Sequence, residues 1–443
     1  MATTTAAGPD SSWEVDDAAI QDPEEVKVLF CALDSFLQYA KVSHFHCTHL
    51  RRQSFYALSQ EHWQMLAAPP FSYLETLDRV DDAIESNADL ARAIVRFGLE
   101  SFCGGQPPGP TESKEAQEAR AVSEREPSLP APWAGIAKHT DVDKARSTLR
   151  QFYRDWSAEG AAEREHSYGP VMQALAAERT ERTKRTKSLA TAEGGAEGGA
   201  PLESLKVLVP GAGLGRLVFD LCCAGYAAEG NEISYHQLLA SSYVLNFAQR
   251  AGQHAVYPWV HSFSNHGTRA RQLQACRVPD VHPAQTLQTL QQTAGSMSMC
   301  AADFLCLYGD EEHAATFDAV ACVFFLDTAP NLIRYLETMW HCLRPGGLLV
   351  NVGPLLWHFE NHAPGNHGRD DDGDGEHDAA SSSGIADPGS FELTDDEVMA
   401  LVARIGFQVE TRETARETPY IHDDRSMLQT VYRSSFWVAR KPW

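Results

Sequence analysis

Features that would direct this chain to nucleic acid or into a membrane are absent from its sequence. The 443 residues hold 37 lysines and arginines against 60 aspartates and glutamates, a formal charge of −23 at pH 7. Because DNA and RNA are polyanions, most of this surface would repel them. No apolar run approaches the ~18 residues of a membrane-spanning helix, and the start lacks the basic and apolar parts of a signal peptide. We therefore expect a soluble protein of the cytoplasm, with the nucleus as a second compartment, that binds neither nucleic acid nor membrane.

The ten cysteines also lack the spacing of a metal site or a disulfide framework. None stands in a Cys-x-x-Cys pair, and several lie inside apolar runs, which is typical of reduced, packed thiols. His44, His46 and His49 are too crowded for tetrahedral ligand spacing and are expected to be exposed or hydrogen-bonded. The acidic run 369–378 lacks the closing glutamate of a calcium loop. We therefore expect no metal.

The strongest positive signal is a glycine-rich turn between an apolar run and an amphipathic segment. Lys206–Val209 leads into Gly211, Gly213 and Gly215, and an apolar-periodic stretch follows, which predicts a strand, a tight loop and a helix. Glu232 comes roughly 20 residues after the first glycine, where an acid at the end of the next strand can accept the hydroxyls of a ribose. A nucleotide-type ligand is therefore expected here.

The spacing of these glycines limits which class of cofactor can be expected. The third glycine of the dinucleotide fingerprint is missing, and no Gly-Lys-Ser/Thr follows as in a P-loop. A nicotinamide, a flavin or a nucleoside triphosphate is thus disfavoured. S-adenosyl-L-methionine, a mononucleoside-type cofactor, fits the pattern.

Composition divides the chain into three parts. Residues 1–22 are small, polar and acidic, and we expect a disordered tail. Residues 23–200 show helical periodicity and are predicted to form a helical N-terminal region with low-complexity linkers at 104–129 and 181–200. Residues 201–443 alternate strands with helices around a disordered insert, 363–389, which predicts a mostly parallel sheet with an antiparallel edge.

Several acids and one histidine follow predicted strands of that sheet. The nearly continuous apolar run from Phe317 to Asp327 is predicted to be the central strand. Residues 257–261 and 301–305 are predicted to be short strands. The second strand carries Asp303, which could instead be an N-cap or turn residue. His358 lies on the loop after the next strand, 347–352. Because ligands gather at the carboxyl ends of parallel strands, we expect these side chains at one edge.

The predicted helix 141–156 has two interpretations. Its aromatic stripe indicates packing, which would leave Arg146, Arg150 and Arg154 in solvent. Alternatively, Gln151 and Arg154 cover a ligand that bears a carboxylate, since a guanidinium pairs with that group bidentately. The pattern leaves both open.

Five segments together resemble the carnosine N-methyltransferases, also described as the N2227-like family. The resemblance spans roughly residues 24–442 outside the low-complexity inserts. It rests on the motifs Val209–Leu217, Gly230–Glu232, Phe324–Ala329, Arg344–Gly347 and Gly353–Asn361. It implies a Rossmann-like seven-stranded class I methyltransferase fold with an added helical N-terminal region, and methyl transfer from S-adenosyl-L-methionine to an imidazole nitrogen of a histidine-containing dipeptide.

The resemblance also implies roles for individual residues. Those implied to bind the cofactor are Gln151, Arg154, Gly211, Glu232, Asp303, Phe304 and Cys322. Those implied to bind the dipeptide are Asp327, His358, Tyr420 and Tyr432, the two tyrosines on weaker local likeness. We hypothesise that Asp327 orients the imidazole ring and that His358 bonds the ligand or helps to remove the surplus proton.

Two other functional classes stay open at this point. One is a methyltransferase for a protein histidine or another small amine, and the other is a non-catalytic scaffold that binds the cofactor. The sequence also leaves open the physiological dipeptide, the ring nitrogen and the oligomeric state, for which a homodimer is the assembly to test.

Overall fold

The computed structural model describes residues 23–102, 127–192, 204–291, 293–361 and 389–443. The predicted tail 1–22, nearly all of the linker 104–129, the end of the linker 181–200 and nearly all of the insert 363–389 lie outside these ranges. Among the helices of the described ranges, none combines the length and the apolar character that a membrane span requires.

Helices dominate the first half of the chain, and strands alternate with helices in the second. The α-helices are α1 Pro23–His44, α2 Leu50–Tyr56, α3 Gln60–Ala67, α4 Tyr73–Phe102, α5 His139–Trp156, α6 Ala161–Ser167, α7 Gly169–Ala192, α8 Arg216–Cys223, α9 Tyr235–Ser242, α10 Arg269–Gln272, α11 Pro283–Thr289, α12 Phe304–Tyr308, α13 Leu332–Cys342 and α14 Asp395–Ile405. The strands are β1 Lys206–Pro210, β2 Ala227–Glu232, β3 His254–Val256, β4 Cys276–Val278, β5 Met297–Ala301, β6 Phe317–Val323, β7 Leu343–Gly353, β8 Gln408–Pro419 and β9 Val431–Arg440.

The main sheet has seven strands in the order β5-β2-β1-β6-β7-β9-β8. The first five run parallel to their neighbours, whereas β9 is antiparallel to both β7 and β8. The strand order reverses between β1 and β6, and this switch point is where an open parallel sheet offers a crevice for a ligand. The expected Rossmann-like seven-stranded sheet with an antiparallel edge is confirmed, and β6 is its central strand.

The sheet is covered on both faces, which explains why its central strands read as continuous apolar runs. On β1, Leu208 packs on one side with residues of α13 and α14, whereas Val207 and Val209 pack on the other with α7 and α8. Successive residues of a strand point to opposite faces. Both faces of β1 must therefore be apolar.

The N-terminal helices share a core with the second half of the chain. One hydrophobic cluster joins α1, α4 and α5 to α8, α9 and the small β3–β4 hairpin. Within it, Trp156 at the end of α5 is fully buried and donates its indole N–H to the carbonyl oxygen of Leu214 in the glycine loop (2.9 Å). This packing fixes α5 beside the carboxyl ends of the strands.

Three local predictions were wrong. Residues 257–261 form a turn and β3 precedes them, because Pro258 has no N–H for a strand ladder. Strand β5 ends at Ala301, and the Asp303 carboxylate caps α12 by accepting the N–H groups of Leu305 and Cys306 (2.9 and 3.0 Å). The alternative role of Asp303 as a helix cap is thus confirmed.

The third difference is that α7 continues to Ala192, into the segment for which a loose linker was predicted from residue 181. Polar composition suggested the linker, but two charged residues of this helix, Glu178 and Arg182, form ion pairs with strands of the sheet. Arg182 contacts both Glu178 (2.7 Å) and Asp318 of β6 (2.5 Å), and Glu178 also pairs with Arg440 of β9 (2.8 Å). These buried ion pairs hold α7 against the sheet.

Candidate active site

A cavity of about 320 Å³ opens at the carboxyl ends of β1, β2 and β6. We call it the first cavity. Predicted site residues that line it are Gln151, Arg154, Gly211, Glu232, Asp303, Phe304, His358 and Tyr420. The structure therefore brings together residues that are up to about 270 positions apart in the chain.

The glycine loop forms one wall of the first cavity. Its backbone adopts left-handed conformations that residues other than glycine avoid. Gly211, Gly213 and Gly215 have φ values of +64°, +57° and +74°. A Cβ atom on Gly211 would lie 2.6 Å from the ring of Phe325, too close for any side chain. Glycine is therefore required at this position for both its φ angle and its lack of a side chain.

Glu232 lies at the end of β2, opposite the glycine loop. Its Oε2 accepts the N–H of Gly213, and its Oε1 accepts the N–H groups of Ile233 and Ser234, each at 2.9 Å. Burial raises the pKa of this carboxyl, and the three backbone N–H donors act in the opposite direction. These bonds fix the carboxylate, while its remaining lone pairs can accept hydroxyl groups.

Helix α5 contributes Gln151 and Arg154. The Oε1 atom of Gln151 is buried and has no hydrogen-bond partner in the described residues. Arg154 binds Asp155 through Nε and Nη2 (2.8 and 3.0 Å), and its guanidinium carbon lies 5.2 Å from the centre of the Tyr420 ring. An unpaired buried acceptor is costly, so Gln151 is suited to a donor group of a ligand.

Phe304 and Cys322 were both predicted to lie around one end of the ligand, but only Phe304 lines the cavity. Its ring lies 5.6 Å from the ring of Phe325 and 5.3 Å from that of Tyr335. The Cys322 side chain is fully buried and its sulfur lies 3.9 Å from that of Met339 in α13. The alternation of β6 turns this thiol into the core, and Val323 faces the cavity in its place.

Asp327 lies in a 3-10 turn, Leu326–Thr328, directly after β6. It is 2% exposed and does not itself line the cavity, although its neighbour Thr328 does. Its Oδ2 accepts the N–H of Leu356 (2.9 Å) and its main-chain carbonyl accepts the N–H of His358 (3.0 Å). Burial raises the pKa of Asp327, and the Leu356 N–H and the nearby His358 oppose that rise.

Tyr420 and Tyr432 come from the two ends of the β8–β9 connection and pack around Phe324. The ring of Phe324 lies 5.0 Å from that of Tyr420 and 6.0 Å from that of Tyr432. Tyr420 lines the first cavity, whereas Tyr432, whose ring lies 6.0 Å from that of Tyr420, is not among the lining residues. The predicted substrate residues are thus neighbours, although Asp327 and Tyr432 are set back from the cavity surface.

Sequence reasoning did not single out Phe324 or Glu163. Phe324 lines the cavity with a φ of +53°, an angle that a bulky residue rarely adopts. Glu163 of α6 is 5% exposed, accepts the N–H of Ile421 (2.5 Å), and has a pKa that burial raises to about 7. Phe324 stood inside a recognised motif, but no local pattern marks Glu163, because its partner is more than 250 residues away.

Asp155 and Tyr168 were missed in the same way. The Asp155 carboxylate holds Arg154, and the hydroxyl of Tyr168 donates to the same carboxylate (2.8 Å). Tyr168 also lines the first cavity. The adjacency of Arg154 and Asp155 in sequence was a usable signal.

Comparisons with known proteins give one consistent result. The profile of a family described as carnosine N-methyltransferase matches residues 132–443. A carnosine N-methyltransferase of Schizosaccharomyces pombe is 35% identical over 95% of this chain and 97% of its own length. The carnosine N-methyltransferase unmet of Drosophila melanogaster is 33% identical over 96% and 81%, and a carnosine N-methyltransferase of Rattus norvegicus is 30% identical over 100% and 92%.

Proposed function

The chain belongs to the carnosine N-methyltransferase family, and we propose that it transfers a methyl group from S-adenosyl-L-methionine to an imidazole nitrogen of a histidine-containing dipeptide such as carnosine. The observation that carries this proposal is the composition of the first cavity. Polar groups suited to a nucleoside cofactor, Glu232 and Gln151, line the same space as His358 and Tyr420, and Asp327 lies one residue from its wall.

The residues present fit this cofactor. The unpaired Oε1 of Gln151 suits the ammonium group of the methionyl end, and Nη1 of Arg154, which the bonds to Asp155 leave unused, suits its carboxylate. Glu232 has lone pairs left for the ribose hydroxyls. Phe304 offers an aromatic surface for adenine, and Asp303 lines the same end of the cavity. When bound, the cofactor supplies an electrophilic methyl group on sulfur.

The substrate needs little covalent help from the protein. A neutral imidazole has a free lone pair near pH 7, since its ordinary pKa is about 6.5. The rate then depends on holding the ring in line with the methyl group, and orientation of this kind is worth roughly 7–11 kcal/mol in favourable cases.

We assign the orienting role to Asp327. Its Oδ2 is occupied by the Leu356 N–H (2.9 Å), which leaves Oδ1 to accept the N–H of the imidazole nitrogen that does not react. This contact would choose the attacking nitrogen and would stabilise the positive charge that develops on the ring. The raised pKa of Asp327, due to burial, makes its carboxylate a better proton acceptor.

The methylated ring must then lose its extra proton. His358 is exposed, and its imidazole lies near enough to the Asp327 carboxyl to oppose the rise in the pKa of that group. The imidazole would therefore pass the proton from the buried carboxylate to solvent. Tyr420 and Tyr432, packed on Phe324, would shape the side of the site that receives the ring. These residue roles are parts of the proposal.

The direct test is to incubate the full chain with methyl-labelled S-adenosyl-L-methionine and, separately, carnosine, unrelated small amines and protein extracts. Label on the imidazole of carnosine supports the proposal. Label only on protein histidines or other amines would show that the methyltransferase acts on a different substrate. Cofactor binding without any product would indicate a scaffold.

Location and assembly belong to the same proposal. We expect the protein in the cytoplasm and the nucleus, and fractionation of cells that express the tagged chain tests this. A homodimer is expected, and light scattering of the purified chain distinguishes a dimer from a monomer.

A further inference from the structure

A second cavity, of about 510 Å³, lies beside the first and has no role in the mechanism above. Its lining is mostly polar and includes Arg146, Arg150, Trp259, His261, His422 and Asp423. The two cavities are close neighbours along the chain, because Tyr420 lines the first and Ile421 lines the second. Helix α5 also borders both, with Arg154 in the first and Arg150 one turn earlier in the second.

Arg150 differs from Arg154 in its partners. Arg154 is paired with Asp155, whereas no carboxylate of the described residues forms an ion pair with Arg150. Its Nη2 donates to the carbonyl oxygen of Ile421 (2.8 Å), and its guanidinium carbon lies 5.1 Å from the Trp259 ring. Burial lowers the pKa of Arg150 from its ordinary value, and the nearby Glu163, which accepts the N–H of Ile421, opposes that fall without forming an ion pair with the guanidinium.

An arginine fixed in this way is prepared to bind an anion. The bond to Ile421 and the contact with the Trp259 ring hold the guanidinium in place. The bond uses one hydrogen of Nη2, so the other Nη2 hydrogen and one adjacent nitrogen, Nε or Nη1, are left to donate side by side. A carboxylate accepts two parallel N–H bonds from such a group. The chain carries a net charge of −23, yet this arginine lines a cavity without an ion-pair partner among the described residues.

We propose that Arg150 binds the carboxylate of the histidine residue in the dipeptide substrate, while the ring of that residue occupies the first cavity. The inference rests on the proposed function. The two arginines contact consecutive residues, since Arg154 lies over the Tyr420 ring and Arg150 donates to Ile421, so the two cavities adjoin at this point of the chain. Ring and carboxylate of one histidine are separated by roughly 5 Å, as ordinary bond lengths require.

In this arrangement the two arginines have separate tasks. Arg154 faces the carboxylate of the cofactor, and Arg150 faces that of the substrate. Arg150 is then a specificity-determining residue, which favours dipeptides with a free carboxylate over their amides.

The test compares carnosine with β-alanyl-histidinamide, which has the same ring and ammonium group but a neutral carboxamide. Binding is measured by calorimetry with S-adenosyl-homocysteine present, for the full chain, Arg150→Gln and Arg150→Lys. Hydrogen bonds between charged groups predict that the unaltered chain prefers the acid about tenfold to a hundredfold. Arg150→Gln should abolish the preference, and Arg150→Lys should restore part of it.

Lys144→Gln is the matched control, since it removes one positive charge from the same helix at an exposed position outside both cavities. It should keep the full preference. Equal affinity of the unaltered chain for both compounds, or no binding of either, overturns the inference. An equal loss for both compounds in Arg150→Gln also overturns it, because Arg150 would then act only by supporting Ile421.

Failure of the proposed function can be distinguished from failure of this inference. If carnosine is methylated but binds no more tightly than its amide, only the role of Arg150 is refuted. Carnosine that binds with the preference but yields no methylated product refutes only the methyl transfer.

Discussion

The first cavity has a proposed cofactor side, formed by the glycine loop and Glu232, and a proposed substrate side, formed by Phe324, His358 and Tyr420. Unusual backbone angles arise in different ways on these two sides. On the cofactor side the positive φ angles fall on Gly211, Gly213 and Gly215, where they cost little. On the substrate side they fall on Phe324, which lines the cavity, and on Trp357 and Ile421, which adjoin the lining residues His358 and Tyr420, at +53°, +43° and +43°. Such angles cost on the order of 1–3 kcal/mol for bulky residues and persist only where surrounding contacts impose them.

Those contacts come from distant parts of the chain. Phe324 packs on Tyr420 and Tyr432, the indole of Trp357 donates to Leu393 (3.1 Å), and Ile421 is held between Glu163 and Arg150. The cofactor side is therefore a local and nearly unstrained motif. The substrate side is an assembly of segments that keep one another in place, and changes on the two sides should have separable effects.

The largest effect is expected for Asp327→Asn on the substrate side. Loss of the carboxylate should lower kcat for carnosine about a thousandfold, within the range of proton-transfer catalysis, and change cofactor affinity by less than about twofold. Steady-state kinetics and calorimetry measure the two quantities. Glu360→Gln, an exposed change on the loop that carries His358, should leave both unaltered. Equal losses of turnover and cofactor affinity would contradict the claim that changes on the two sides have separable effects.

Glu163→Gln should change how stability depends on pH. The folded-state pKa of about 7, raised by burial from the ordinary 4.5, means that the protein loses stability as pH rises from about 4.5 to 7. The free energy of unfolding falls by roughly 3 kcal/mol over this pH range. Arg154, Asp155, Arg150 and His422 surround this group.

Glutamine cannot ionise, so the thermal midpoint of Glu163→Gln should exceed that of the unaltered chain at pH 8 and approach it at pH 5. Calorimetric unfolding at both values measures the difference. Parallel pH curves for the two proteins would show that Glu163 does not titrate in this range.

Glu232→Gln tests the cofactor side. Its amide group would face one of the backbone N–H donors that now bind the carboxylate, and it would bind ribose less well. We expect the cofactor Kd to rise about tenfold to a hundredfold, with kcat at saturating cofactor within about threefold. A loss confined to kcat would contradict the assignment.

Gly211→Ala, the last change, should act on stability through the packing of the glycine loop, and its control, Gly135→Ala, should have the smallest effect of the series. The change places a Cβ against Phe325 at a φ of +64°, and the backbone angle alone costs roughly 1–2 kcal/mol. Gly135 has a φ of +78°, and no atom of the described residues beyond its chain neighbours lies within 4 Å of an added Cβ, so Gly135→Ala measures the angle alone. Denaturant unfolding should show a larger loss for Gly211→Ala, and equal losses would mean that Phe325 moves away freely.

The same contrast explains what could be predicted from sequence. The glycine loop, Glu232 and the central strand follow local rules of period and turn chemistry, and the fold follows from the alternation of such elements. Asp303 could be assigned either way, because an acid at a strand end and an acid that caps a helix have the same local pattern.

Other residues depend on contacts that no local pattern records. Cys322 faces the core and Val323 the cavity because the strand register decides it. The pairing of Glu163 with Ile421 and of Arg150 with the same residue joins segments about 260 positions apart. The strained angles of Phe324 and Ile421 are imposed by tertiary packing, so they appear only in the structure.

The central claim is that one cavity brings the cofactor's methyl group to the imidazole of a dipeptide, with Asp327 orienting the ring. Mass spectrometry of carnosine after incubation with the full chain and S-adenosyl-L-methionine tests it most directly. We predict one added methyl group, located on the imidazole ring, and almost none with Asp327→Asn. Unmodified carnosine in the presence of folded chain that binds the cofactor would contradict the account.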